Sequence, residues 1–108
     1  MNAIMVVSTV DSPELAGKIA QSVVEEGLAA CVNIVPGIRS VYRWEGKTCD
    51  DAELLLLIKT TEARFEQVRA SICRLHSYDT PEVIALPILA GDARYLGWLH
   101  AQVQDDPA

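Results

Sequence analysis

Five apolar residues in succession, Leu54–Ile58 (LLLLI), constrain this chain more than any other stretch. The run is far shorter than the roughly 20 residues of a membrane span, and its length suits a strand. A strand with one wet face alternates polar and apolar residues. This run does not alternate, so it asks for apolar cover on both faces of its sheet. Whatever the chain folds into must supply two layers around that strand.

The rest of the sequence offers one of them. Ala3–Val10 is a β-branched run that predicts a buried strand. Ser12 and Pro13 are a helix N-cap and first helical residue, and Leu15, Ile19 and Val23 recur at four-residue spacing until Gly27 ends the helix. Ala30–Val35 and Ile38–Trp44 are strand-like and broken by Pro36-Gly37, which predicts a bend or bulge and an edge position. Glu45-Gly46 marks a turn too short for a long mobile arm, and Ala52–Thr60 returns as the central strand of a hairpin. Thr60 or Thr61 is expected to cap a second helix carrying Phe65, Val68, Ile72 and Leu75, ending near His76. The loop Ser77–Glu82 leads to an edge strand over Val83–Leu89, interrupted by Pro87. Asp92 caps a last short helix with Tyr95, Leu96, Leu99 and Val103, and the DDPA tail is expected to be loose.

The order β-α-β-β-α-β-α is the ferredoxin-like, split β-α-β plan of an α+β domain with an extra C-terminal helix. Helices cover one face of such a sheet. The 108 residues make a single domain of 1–108, too small to bury its surface generously. A second subunit is therefore the expected cover for the other face.

Charge and cysteine usage exclude several classes. Nine basic against 15 acidic residues give a net charge of −6, which argues against a nucleic-acid binder. Cys31, Cys49 and Cys73 form no C-x-x-C pair, so neither a disulfide framework nor a thiolate zinc site is expected, and a reducing compartment fits. The start, MNAIMVVSTVD, has no basic n-region and no small-residue cleavage site. The expectation is a cytoplasmic protein without a membrane span.

The candidate site is the stretch Leu75–Glu82, LHSYDTPE. His76 and Glu82 are the imidazole and carboxylate that suit Cu2+, Zn2+ or Ni2+, provided the loop folds back and further ligands join. Equally, His76 reads as a polar helix C-terminus and Glu82 as the partner of a nearby cation. His76 with Asp79 or Glu82 could act as acid and base, but no nucleophile motif accompanies them. Tyr42, Trp44, Tyr78 and Trp98 read as subunit contacts or stacking groups, and Lys59 as a carboxylate partner or anion ligand. No glycine-rich phosphate loop is present.

The segments EGLAACVNIVPGIRSVYRWEGK, LLLLIKTT, YDTPEVIALPI and GDARYLGWL resemble the CutA family of divalent-cation tolerance proteins over nearly the whole chain. The resemblance implies a ferredoxin-like homotrimer, similar in architecture to PII signalling proteins, with sheets packed together and strand edges shared between subunits. It implies a non-enzymatic role in copper tolerance or homeostasis, with a divalent metal, Cu2+ before Zn2+, bound at His76 and Glu82. Some members carry a Cys where Ser8 stands and many a Pro where Ser77 stands, so binding is expected to be weak and the loop less rigid. A PII-like small-molecule sensor or adaptor and a structural trimeric scaffold are the alternative functions.

Overall fold

A computed structural model describes residues 2–103. The DDPA tail lies outside the described residues. Strand β1 (Ala3–Val10) leads to helix α1 (Pro13–Glu25), then to strands β2 (Cys31–Trp44) and β3 (Lys47–Thr61). A 3-10 turn (Glu62–Arg64), helix α2 (Phe65–Leu75), strand β4 (Ile84–Pro87) and helix α3 (Ala93–Gln102) complete the chain. The sheet order is β2-β3-β1-β4. β1 pairs antiparallel with both β3 and β4, and β2 with β3. This is the split β-α-β arrangement, with β3 inserted between β1 and β2.

Local chemistry sets most boundaries. Ser12 caps α1, its Oγ accepting from the Leu15 N–H at 3.1 Å, and Pro13 follows at the first helical position. Gly27, at φ 71°, closes that helix: the Leu28 N–H reaches the Val23 carbonyl (2.9 Å) and the Gly27 N–H the Val24 carbonyl (3.1 Å). That pair of bonds satisfies carbonyls the helix end would leave open. Asp92 caps α3 through Oδ2, which accepts from the N–H groups of Arg94 and Tyr95.

Three expectations need correction. Neither Thr60 nor Thr61 caps α2. Thr60 Oγ1 donates instead to the Leu28 carbonyl, Thr61 makes no capping bond, and a 3-10 turn precedes the helix. β3 begins at Lys47 rather than Ala52, so the hairpin arm is longer than its turn signal implied, with pairing continuing to Trp44↔Lys47. Glu45 and Gly46, at φ 50° and 78°, form the two-residue turn that matches strand twist. β4 is confined to Ile84–Pro87, and Leu89 beyond it is 97% exposed. The Pro36-Gly37 break proves to be a register shift between Val35 and Ile38 within one continuous strand, at the sheet edge.

The core lies between the sheet and α1/α2. Ile4, Val6, Val10, Leu56 and Ile58 from the strands meet Ile19, Val23, Val68 and Ile72 from the helices. Among the described residues, the opposite sheet face is covered only at one end, where Leu99 and Val103 of and after α3 bury Ala3 and Ala30. Elsewhere it carries Val7, Leu57, Val35, Ile84 and Leu86, which share that face by register. Val35, Ile84 and Leu86 are exposed in the single chain.

Candidate functional site

Past the bulge, β2 and β3 leave the helices and run out as a two-stranded ribbon. The ribbon stretches the molecule to 45 × 27 × 23 Å. Cross-strand polar contacts hold it: Arg39 donates twice to Asp50 (2.8 and 2.6 Å), and Tyr42 Oη donates to Asp51 (2.5 Å). One wall of a cleft comes from the ribbon, through Ser40, Val41, Tyr42, Trp44 and Glu53. The other comes from Thr9 and from Tyr78, Asp79, Thr80 and Glu82 of the loop after α2. The cleft volume is about 630 Å3.

Tyr78 ties the two walls together. Its Oη donates to Glu53 Oε2 at 2.6 Å, and Glu53 is a carboxylate only 7% exposed at the root of the ribbon. Burial, then the Glu53 hydrogen bond and nearby negative charge, push the Tyr78 hydroxyl well above the usual tyrosine range. The Asp51 hydrogen bond, then burial and neighbouring acids, raise Tyr42 from 10.0 to about 12. A raised hydroxyl pKa means that only the protonated donor is favoured by the fold. Its contribution is whole below the unfolded tyrosine pKa and fades as pH climbs through the folded value. For Tyr42 that window runs from 10.0 to about 12. A tyrosinate absorbance titration is expected to show native steps displaced upward relative to protein unfolded in urea, and Tyr78→Phe removes the later step.

His76 and Glu82, the residues proposed as metal ligands, have different surroundings. His76 is the C-cap residue of α2, as the helix pattern predicted. Its Nε2–H donates to the Thr9 carbonyl (2.7 Å), and its Nδ1 accepts from the Tyr78 N–H (3.1 Å). A carbonyl can only accept and an N–H only donate, so the ring is the neutral Nε2–H tautomer with both nitrogens engaged. It also packs against the Tyr78 ring, with centroids 4.6 Å apart. Glu82 is exposed on the cleft instead. Ser77, exposed, donates to Asp11 (3.3 Å), which pins the loop to the end of β1.

Ser8 is fully buried on the helix-facing side of β1, opposite Leu56, and its Oγ has no hydrogen-bond partner among the described residues. No group of three or more His, Cys, Asp or Glu side chains that could hold a metal occurs among the described residues. The described residues of one chain thus do not by themselves supply three such ligands. The orphaned hydroxyl has its own consequence. Removing a buried polar group that lacks a partner relieves its desolvation cost, so Ser8→Ala is expected to stabilise the fold by about 1 kcal/mol in urea unfolding. A paired serine would give a loss instead.

Glu53 was not among the residues the sequence singled out. Its only signal is position, as the acidic residue that opens an apolar run. Lys59 donates to Asn33 across the hairpin. Trp98 stacks obliquely on Tyr95 along α3, with centroids 5.6 Å apart.

The comparisons agree with this architecture. A family profile described as CutA1 divalent ion tolerance protein matches residues 4–102. The divalent-cation tolerance protein CutA of Thermus thermophilus is 53% identical over 96 residues, covering 89% of this chain and 93% of that protein. The chloroplastic protein CutA of Arabidopsis thaliana is 54% identical over 97 residues, 90% of this chain but only 53% of the plant protein. The crystal structure of CutA1 from Oryza sativa superposes with a TM-score of 0.94 at 48% identity, covering 98% of this chain and 97% of that one. A CutA from Archaeoglobus fulgidus, described as periplasmic, superposes at 0.92 with 38% identity, covering 94% of this chain and 99% of that one. Among the described residues no helix is long and apolar enough to cross a membrane. With fold, ribbon and sequence in agreement over almost its whole length, the chain belongs to the CutA1 divalent ion tolerance family.

Proposed function

We propose that the chain serves divalent-cation tolerance as a homotrimer and catalyses no reaction. The observation that carries the assembly is the second sheet face, where Val35, Ile84 and Leu86 lie exposed beside half-buried Val7 and Leu57. Apolar surface grouped in this way is surface meant for cover. The exposed ladder edges of β2 and β4 add unpaired backbone groups for neighbouring copies to use. Sedimentation equilibrium of the purified chain is expected to return a mass near three times 11.8 kDa. A folded 11.8 kDa particle at micromolar concentration sinks the proposal. The non-enzymatic reading is supported by His76, the base of any acid–base scheme here, whose two nitrogens are already bonded. The free thiols of Cys31, Cys49 and Cys73 favour a reducing compartment such as the cytoplasm.

Metal binding at His76 and Glu82 is the second reading, favoured by the family's description and by the placement of Glu82 on the cleft. Freeing the Nδ1 lone pair from the Tyr78 N–H costs about 1 kcal/mol before any ion is gained. Binding is therefore weak, with Cu2+ ahead of Zn2+ by the usual order of affinity. Calorimetric titration of metal-free protein is expected to give a small heat with Cu2+, less with Zn2+, and less again in His76→Ala and Glu82→Gln. Identical isotherms for all three proteins remove these residues from the metal assignment.

A further inference from the structure

The ribbon leaves the body of the fold at one place, and several independent features meet there. β1 ends its pairing with β3 at Val10↔Leu54, so Glu53 is the first residue of β3 that lacks β1 as a neighbour. On the other side, Val35 pairs with Leu55 and Ile38 with Glu53, which leaves Pro36 and Gly37 opposite Leu54 alone. Such a bulge interrupts the ladder and bends the strand. Gly37, at φ 79°, occupies the left-handed region that its missing side chain permits. From residue 36 to residue 52 no side chain is buried in the single chain, whereas Glu53 is. A two-stranded ribbon with no apolar layer behind it has little of its own to fix its direction. A bend, a flexible residue and the loss of a neighbouring strand therefore coincide at the root of the ribbon, and together they make a hinge.

Tyr78 supplies at that hinge what β1 no longer gives. Its Oη donates to Glu53 at 2.6 Å, and among the described residues this is the one side-chain hydrogen bond that joins residues 36–53 to the rest of the chain. Tyr78 is itself held. Its N–H donates to Nδ1 of His76 (3.1 Å), and Nε2–H of the same ring donates to the carbonyl of Thr9 (2.7 Å), one residue before the end of β1. A continuous chain of contacts thus runs from the end of β1, through the loop after α2, to the root of the ribbon. We propose that this loop is a clamp on the hinge, with Tyr78 the positioning residue that fixes the direction of the ribbon and passes displacements of the loop on to it. All of these contacts lie within one chain, so the device requires neither a bound ligand nor a particular assembly.

Amide hydrogen exchange of the full chain, read by mass spectrometry, tests the clamp, because local opening speeds exchange only in the segment that opens. Tyr78→Phe keeps a ring beside His76 and removes the donor to Glu53. Exchange over residues 38–52 is expected to become about tenfold faster, with β1 and α1 unchanged. This substitution also leaves the Glu53 carboxylate without its partner, so a second variant separates that cost from loss of the clamp. In Tyr78→Phe/Glu53→Gln no charge is stranded, and the ribbon is expected to exchange as fast as in Tyr78→Phe. Glu53→Gln alone retains a carbonyl oxygen that accepts from the tyrosine hydroxyl, and its ribbon is expected to exchange as the parent's does. The proposal is overturned by parental ribbon exchange in the double variant, by an equal rise in α1 and the ribbon, or by Glu53→Gln alone freeing the ribbon as fully as the double variant.

Discussion

On the proposed homotrimer, Leu57→Glu is expected to leave the chain folded and to take the assembly apart, reducing the particle mass about threefold. Leu57 lies on the face of β3 away from α1 and α2, between Val7 of β1 and Asn33 of β2 in the ladder. Within one chain it is half-buried, so a glutamate there can turn its carboxylate to water and costs the fold about 1 kcal/mol. Between subunits there is no such escape. Packing this face against copies of itself would bring several new carboxylates into an apolar contact, and each unpaired charge removed from water costs several kcal/mol. Sedimentation equilibrium reads the mass and circular dichroism the fold. A folded variant that keeps the parent's mass shows that this face is not the contact.

The fold was legible where one physical rule acted alone. Ser12, Pro13 and Gly27 announced α1 because capping and a left-handed residue are local requirements, met in the structure as expected. The same locality made Asp92 a readable cap. Thr60 misled because its hydroxyl is used by the Leu28 carbonyl, 32 residues away, a contact no local pattern carries. The ribbon was underestimated for a different reason. Lys47–Ala52 stands in an exposed two-stranded arm with no core to impose alternation, so its strand character left no apolar signature. At the candidate site, the position of His76 was readable from the end of the α2 pattern. The fate of its ring was not, since that depends on Thr9, 67 residues distant. The Glu53–Tyr78 bond escaped notice because a carboxylate before four leucines looks like a strand end, not the floor of a cleft.

Leu56→Ala, one residue from Leu57, is expected to have the converse outcome: a loss of about 3 kcal/mol in stability with the oligomer intact. Leu56 is fully buried on the helix side, opposite Ser8 of β1 and Ile34 of β2. Truncating it removes three carbon atoms from water-free packing and leaves a cavity that the surrounding strands and helices fill only in part. A domain of this size has about 5–15 kcal/mol in all, so the urea midpoint should fall steeply while the slope stays the same. If the trimer is the native state, unfolding is linked to dissociation. The melting temperature then rises with protein concentration in the parent and in Leu56→Ala alike, and loses that dependence in Leu57→Glu. Two adjacent leucines thus divide folding from assembly, because side chains along a strand alternate between its faces. Should Leu56→Ala lower the mass at denaturant-free concentrations where it remains folded, the two faces are coupled, and the separate layers inferred from LLLLI are not separable in energy.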